Sequence, residues 1–196
     1  MALLLSGAIA SGLMFAGYTA LRLTAGYCPK QIPHQPDFDA DRYTGRWYEF
    51  RRENDLWYEK GICTSANYSF KQDGQIRVEN TELRPADGSH YKPYYKTTVG
   101  TARVSDWNPG QLGVQFFIFS PFGDYNVVST DYDSYVIVYS CAYMLPNALP
   151  SEALWVLTRE PITIGTPEHD AMDLKTKKII REILPHYDFK NSMLQL

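Results

Sequence analysis

From Tyr43 onward the chain is written in short apolar and aromatic blocks, each of strand length, set apart by clusters of Gly, Pro, Asn and Asp. The first block, Tyr43 to Phe50 (YTGRWYEF), carries the strand formers Tyr43, Trp47, Tyr48 and Phe50. Thr44 and the bare Gly45 mark where another segment can lie against the backbone. Seven further blocks follow at 63–72, 75–83, 94–104, 111–119, 124–130, 135–141 and 153–159. Asp73 with Gly74 makes a tight hairpin, and Pro85 to Gly88, Asn108 to Gly110 and Pro121 to Gly123 make others. Strands joined in sequence by such short links predict an all-β, eight-stranded antiparallel up-and-down barrel, because a β-sandwich needs longer crossovers. Closure removes the edges and leaves an interior for one small ligand.

After the last strand the period changes. Thr166 caps a predicted helix with Pro167 at its first position, acids early (Glu168, Asp170, Asp173) and bases late (Lys175, Lys177, Lys178, Arg181). Met172, Thr176, Ile179 and Ile183 form one face that should pack on the barrel's outside, and Pro185 ends the helix.

Ahead of the barrel, Met1 to Leu21 carry no charged side chain, and at about 1.5 Å per residue such a helix would cross a bilayer core of about 30 Å. One reading is a cleaved signal peptide, with small residues at Thr24, Ala25 and Gly26. The other is a retained anchor: there is no basic first region, and Ala8, Gly12, Ala16 and Ala20 make a small-residue stripe on which membrane helices pack. Retention is the expectation here, which divides the chain into a hydrophobic segment, 1–26, and a folded domain, 27–196. Lys30 to Asp37 reads as an extended linker with two prolines. Asp37, Asp39 and Asp41 alternate like a calcium loop, but Arg42 and Tyr48 stand where its glycine and closing glutamate belong, so they are read as solvent-facing.

Composition narrows the function. Net charge is −3 and no basic run carries interleaved aromatics, which argues against nucleic acid. The 15 Tyr, 9 Phe and 4 Trp suit a large core or a ring-lined cavity. The four histidines, His34, His90, His169 and His186, are scattered without ligand spacing or triad context and read as surface residues. No phosphate loop or nucleophile elbow is present, so the residues point to no enzyme, metal or cofactor.

Three separated motifs agree in order: Gly45 with Trp47, then Thr130, Asp131 and Tyr132, then Arg159 at the end of LWVLTRE. Together they resemble the signature regions of the lipocalins, and CTSANYS (63–69), YSC (139–141) and the Cys28–Pro29 pair resemble the apolipoprotein D and bacterial lipocalin branch. The resemblance implies a Cys28–Cys141 disulfide and leaves Cys63 an unpaired thiol, read as a small buried hydrophobe. A structural disulfide means an oxidising compartment. It also implies that Arg159 lies over Trp47 and plugs the closed end. Asp131 is read as capping its turn. Tyr27 ahead of Cys28 argues against a bacterial lipid-attachment box.

Carried over residue by residue, the family's ligand positions fall on Tyr68, Asn80, Phe116 and Tyr125. Strand parity adds Trp155 and Leu157, which share the face of Arg159. Such a wall suits a mostly apolar ligand with a polar end, such as a fatty acid, lysolipid or sterol-like molecule. Loops 51–62, 84–93, 120–123 and 142–152 would ring the mouth with Leu56, Trp57, Tyr58, Tyr91, Pro93, Pro121, Phe122, Tyr143, Met144 and Leu145. An apolar patch of this kind marks a membrane or partner contact. The expectation is therefore a carrier of small hydrophobic molecules, with residues 1–22 and the mouth loops against a membrane. The alternative for the anchor is secretion, and the alternative for the function is an accessory subunit of a membrane complex with a structural or vestigial pocket. Asn67 heads a glycosylation sequon and should face outward.

Overall fold

The computed structural model describes residues 28–53, 60–143, 150–187 and 192–194. A turn of helix, α1 (Ala40–Tyr43), leads into β1 (Gly45–Glu53), followed by β2 (Ile62–Phe70), β3 (Ile76–Arg84), β4 (Tyr94–Val104) and β5 (Gln111–Gln115). Then come β6 (Gly123–Thr130), β7 (Tyr135–Tyr143), β8 (Pro150–Thr158), helix α2 (Pro167–Ile183) and a short β9 (Ser192–Leu194). From β1 to β8 each strand pairs antiparallel with the next, and β1 closes the barrel by pairing with both β2 and β8. The C-terminal β9 pairs with the mouth half of β1, Arg51–Glu53.

Alternation sorts the side chains into two apolar clusters. Val136, Val138 and Leu157 point inward with Trp47, Tyr68, Ile76, Val78, Ala102, Leu112 and Val127. Their strand neighbours Ile137, Tyr139, Leu154 and Val156 point outward and are covered by Ile180 and Leu184 of the α2 end. Burying an aliphatic side chain of this size is worth about 1.5–3 kcal/mol, which fixes register: a one-residue slip would exchange the clusters.

Four local expectations are corrected. Tyr43 lies in α1, not a strand, because the Asp39 side chain accepts from the Arg42 N–H and the Thr44 N–H reaches the Ala40 carbonyl; Asp39 is thus a helix cap, and not merely solvent-facing. β5 stops at Gln115, four residues early, where the Gln115 amide and the Ser120 N–H close a turn on Ser120 and Phe117 carbonyls. His169 is buried against Phe50 in the helix–barrel seam, its ring centroid 5.3 Å away. The linker is free of helix, as expected, and is bound to the wall: Cys28 is bonded to Cys141, the His34 ring meets Asn126 Oδ1 at 3.0 Å and Asn108 Nδ2 at 2.8 Å, and the Gln35 N–H donates to the Val127 carbonyl. That disulfide implies an oxidising compartment.

Helix α2 is also held electrostatically. Arg51 leaves the wall of β1 nearly buried and pairs with Asp173, which pairs with Lys177 at 2.8 Å. Burial lowers the Arg51 pKa.

Candidate functional site

The closed end is built on Arg159. Its guanidinium carbon stands 3.7 Å from the centroid of the Trp47 ring. Its N–H groups donate to the carbonyls of Tyr132 (2.8 Å), Thr44 (2.9 Å), Arg46 (3.1 Å) and Arg42 (2.6 Å). One side chain thereby joins β8, the turn before β7 and the α1–β1 entry. Gly45 makes room for it: φ is +95°, and a Cβ there would stand 3.3 Å from Arg159 Nη1. The Trp47 indole N–H donates to the Tyr43 carbonyl at 2.8 Å. Phe38 packs beneath Tyr43, with ring centroids 5.2 Å apart.

Thr130, Asp131 and Tyr132 shape the adjoining turn. The Thr130 hydroxyl donates to the Tyr135 carbonyl and accepts from the Tyr132 N–H. Asp131 accepts the N–H groups of Asp133, Ser134 and Tyr135, the Ser134 hydroxyl and the Lys175 ammonium. Partial burial pushes its pKa up, but these hydrogen bonds outweigh that and hold it well below the usual carboxylate range.

Above the plug, the ligand candidates lie on one surface. Tyr68 and Leu157 are buried in the interior cluster, and Phe116, Tyr125 and Trp155 pack against it partly buried. Gly100 admits the Phe116 ring, since a Cβ there would lie 2.7 Å from it. Asn80 shares the inward face of β3 with Val78, and its Oδ1 is buried without a protein hydrogen-bond partner.

Tyr43 belongs to this wall although the sequence reading placed it elsewhere. Its hydroxyl lies 2.7 Å from that of Tyr125, which lies 2.8 Å from that of Tyr68. Burial raises the pKa of Tyr43 and Tyr125 well above the ordinary phenol value, so these two hydroxyls stay protonated at physiological pH.

Nearer the mouth the inner wall turns ionic. Glu49 pairs with Arg52 at 3.4 Å, and both are almost fully buried. Arg52 donates to the Gly61 carbonyl, the Gly61 N–H donates to Glu82 at 2.7 Å, and Glu82 binds Arg84. The signal was present in the alternation of WYEFRRE, which puts Glu49 on the face of Trp47.

Of the mouth residues, Tyr91 is 98% exposed and Tyr143 47%, while Phe122 is half-buried under the Arg103 guanidinium. Phe117, Ile118 and Phe119, released by the early end of β5, are 72–97% exposed and add to this rim. Leu56, Trp57, Tyr58, Met144, Leu145 and the segment 1–26 lie outside the described residues. Among the described residues no helix is long and apolar enough to cross a membrane. Asn67 faces outward and donates to Glu79 at 3.3 Å. Cys63 is a free thiol but exposed, correcting its reading as a buried hydrophobe; the disturbed register of β2 turns it outward, with φ at +51°.

Residues 38–177 match the lipocalin-like domain family. The chain is 39% identical to apolipoprotein D of Macaca fascicularis over 160 residues, covering 81% of this chain and 79% of the relative. It is 30% identical to the outer membrane lipoprotein Blc of Citrobacter freundii, covering 76% and 78%. Insecticyanin of Manduca sexta shares the fold at a TM-score of 0.66 with 21% identity, over 87% of this chain and 86% of that one. With the barrel closed on β1, the helix outside it and a matched region that spans both, the chain belongs to the lipocalin family.

Proposed function

We infer that the protein binds and carries a small, mostly apolar molecule with a polar end, held inside the barrel without chemical conversion. The observation that carries this reading is the inner wall itself. Phe116, Tyr125, Trp155 and Leu157 face the same interior as Asn80, whose buried amide oxygen has no protein partner. Leaving such an acceptor unpaired costs about 1–3 kcal/mol, which a ligand hydroxyl or N–H would recover. Rings with one convergent polar group are the make-up of a site for a fatty alcohol, monoacyl lipid or sterol-like ligand. Lipocalin membership supports the same class.

The mouth is read as the membrane-facing end. Tyr91 and Phe117–Phe119 crowd one rim, and exposed apolar patches of this kind favour contact with lipid or with a protein neighbour. The segment 1–26 would anchor that rim, and Cys28, bonded to Cys141 on β7, would keep the anchor's end beside the barrel. Native mass spectrometry of the protein from its source tests these points together. A carrier runs as one chain plus a ligand of a few hundred daltons and retains its N-terminal segment. A ligand-free chain whose Trp fluorescence is unmoved by added lipid overturns the carrier; a mass carrying further polypeptides supports the accessory-subunit reading instead.

A further inference from the structure

The barrel wall is parted on one side. The β1–β2 ladder ends at Tyr48 opposite Ser65, and the β1–β9 ladder begins at Arg51 opposite Leu194, so Glu49 and Phe50 stand between the two. Over this parting lies an outer-wall groove of about 430 Å³. Its lining includes Tyr48 and the exposed Tyr95, with the nearly buried Phe50 at its edge and Ile162 from the segment after β8. This surface is mostly outward: Tyr48 and Thr158, which both line it, are cross-strand partners on the outward face, beside the inward-facing Glu49 and Leu157.

Three polar features converge on the groove. Arg46 lines it with an exposed guanidinium that makes no ion pair among the described residues. Thr64 lines it with a hydroxyl that is buried and lacks a hydrogen-bond partner. Cys63 stands at its lip in a left-handed conformation, a strained state that costs a non-glycine residue about 1–3 kcal/mol and tends to gather at binding sites. Glu49 reaches the groove from its inner side, but Arg52 already balances that carboxylate.

We propose that this groove is a second ligand site, distinct from the barrel interior, for a flat organic anion: an aromatic or polycyclic body between Tyr48 and Tyr95, with its acid group on Arg46. The chemistry is complementary at each point. Ring faces attract a planar apolar body, the unpaired guanidinium attracts a carboxylate or sulfonate, and Thr64 offers one hydrogen bond. The volume lies within the range that holds a drug-sized molecule.

Cys63 supplies the test, because a molecule in the groove shields it and one in the interior does not. The rate of Cys63 alkylation by iodoacetamide is measured on the full chain against increasing 8-anilinonaphthalene-1-sulfonate, with and without saturating oleyl alcohol, an uncharged filler for the interior. The expected result is at least a fivefold fall in rate at saturation, unchanged by the alcohol, with the half-maximal concentration raised at least fivefold in Arg46→Gln. Arg46 is exposed, so this variant folds. An alkylation rate indifferent to the sulfonate, or protection that Arg46→Gln leaves intact, overturns the site. Protection abolished by the alcohol overturns its independence from the interior. None of these outcomes bears on whether lipid binds inside the barrel, which Trp fluorescence reports separately.

Discussion

Arg159 lies 3.7 Å above the Trp47 indole, and the same guanidinium donates to the Thr44 and Arg42 carbonyls on the chain entering β1. The contact thus serves as a lid on the ring and as a knot between the end of β8 and the chain entering β1. A cation over an indole contributes about 0.5–2 kcal/mol, and hydrogen bonds from a charged donor about 1.5–3 kcal/mol each, discounted here because Arg159 is partly exposed and the bonds share one group. Arg159→Leu should lower stability by about 2–4 kcal/mol in urea unfolding, while ligand affinity in the folded protein changes less than threefold. A large affinity loss at unchanged stability would place Arg159 in the ligand site instead.

At Asn80 stability and binding should move in opposite directions. Its amide oxygen is buried without a protein partner, so Asn80→Leu removes an unpaired acceptor and should leave stability equal or raise it by up to about 1 kcal/mol. Affinity for a fatty alcohol should fall about five- to twentyfold, and affinity for the hydrocarbon of equal length should hold. Trp fluorescence titration with both probes reads the difference.

The buried phenols set an alkaline limit. Folded Tyr43 and Tyr125 have pKa values raised well above 10, whereas the unfolded chain ionises its tyrosines near 10. The folded state therefore holds more protons above that point, so this contribution is fully present below pH about 10 and is lost as pH rises beyond it. Urea midpoints measured from pH 8 to 11.5 should fall at the alkaline end, and Tyr125→Phe should flatten the fall. A midpoint that rises with pH in that window would contradict the burial of these hydroxyls.

Asp173 joins the helix to the barrel through Arg51. Asp173→Ala removes the ion pair of a nearly buried guanidinium; removing one partner of a buried pair costs about 3–5 kcal/mol, and the partial exposure of Asp173 sets the expectation at about 2–4 kcal/mol. Because α2 covers the outer face of β7 and β8, hydrogen exchange should accelerate first in α2 and the Ile137–Tyr139 stretch. Uniform acceleration across the barrel would show that the helix is no separate cooperative unit.

The sequence by itself determined the barrel, since alternating apolar positions and Gly, Pro, Asn and Asp turns are local signals, and a two-residue period has only one way to hide its apolar face. It likewise determined the helix, capped by Thr166 and closed before Pro185. What only the tertiary structure decided are the places where distant partners outweigh local preference. Tyr43 is a strand former by composition, yet it turns in a helix because Asp39 caps that turn and the Trp47 indole seizes its carbonyl. The run FFIFS is apolar without alternation, so nothing in it marks where β5 must stop; the turn on Ser120 does. Glu49, Arg52 and Glu82 are charged yet buried, and Gly61, several residues away along the chain, brings a carbonyl to Arg52 and an N–H to Glu82. Burial of a charge depends on a partner reaching it through space, and that distance is written in no single stretch of sequence.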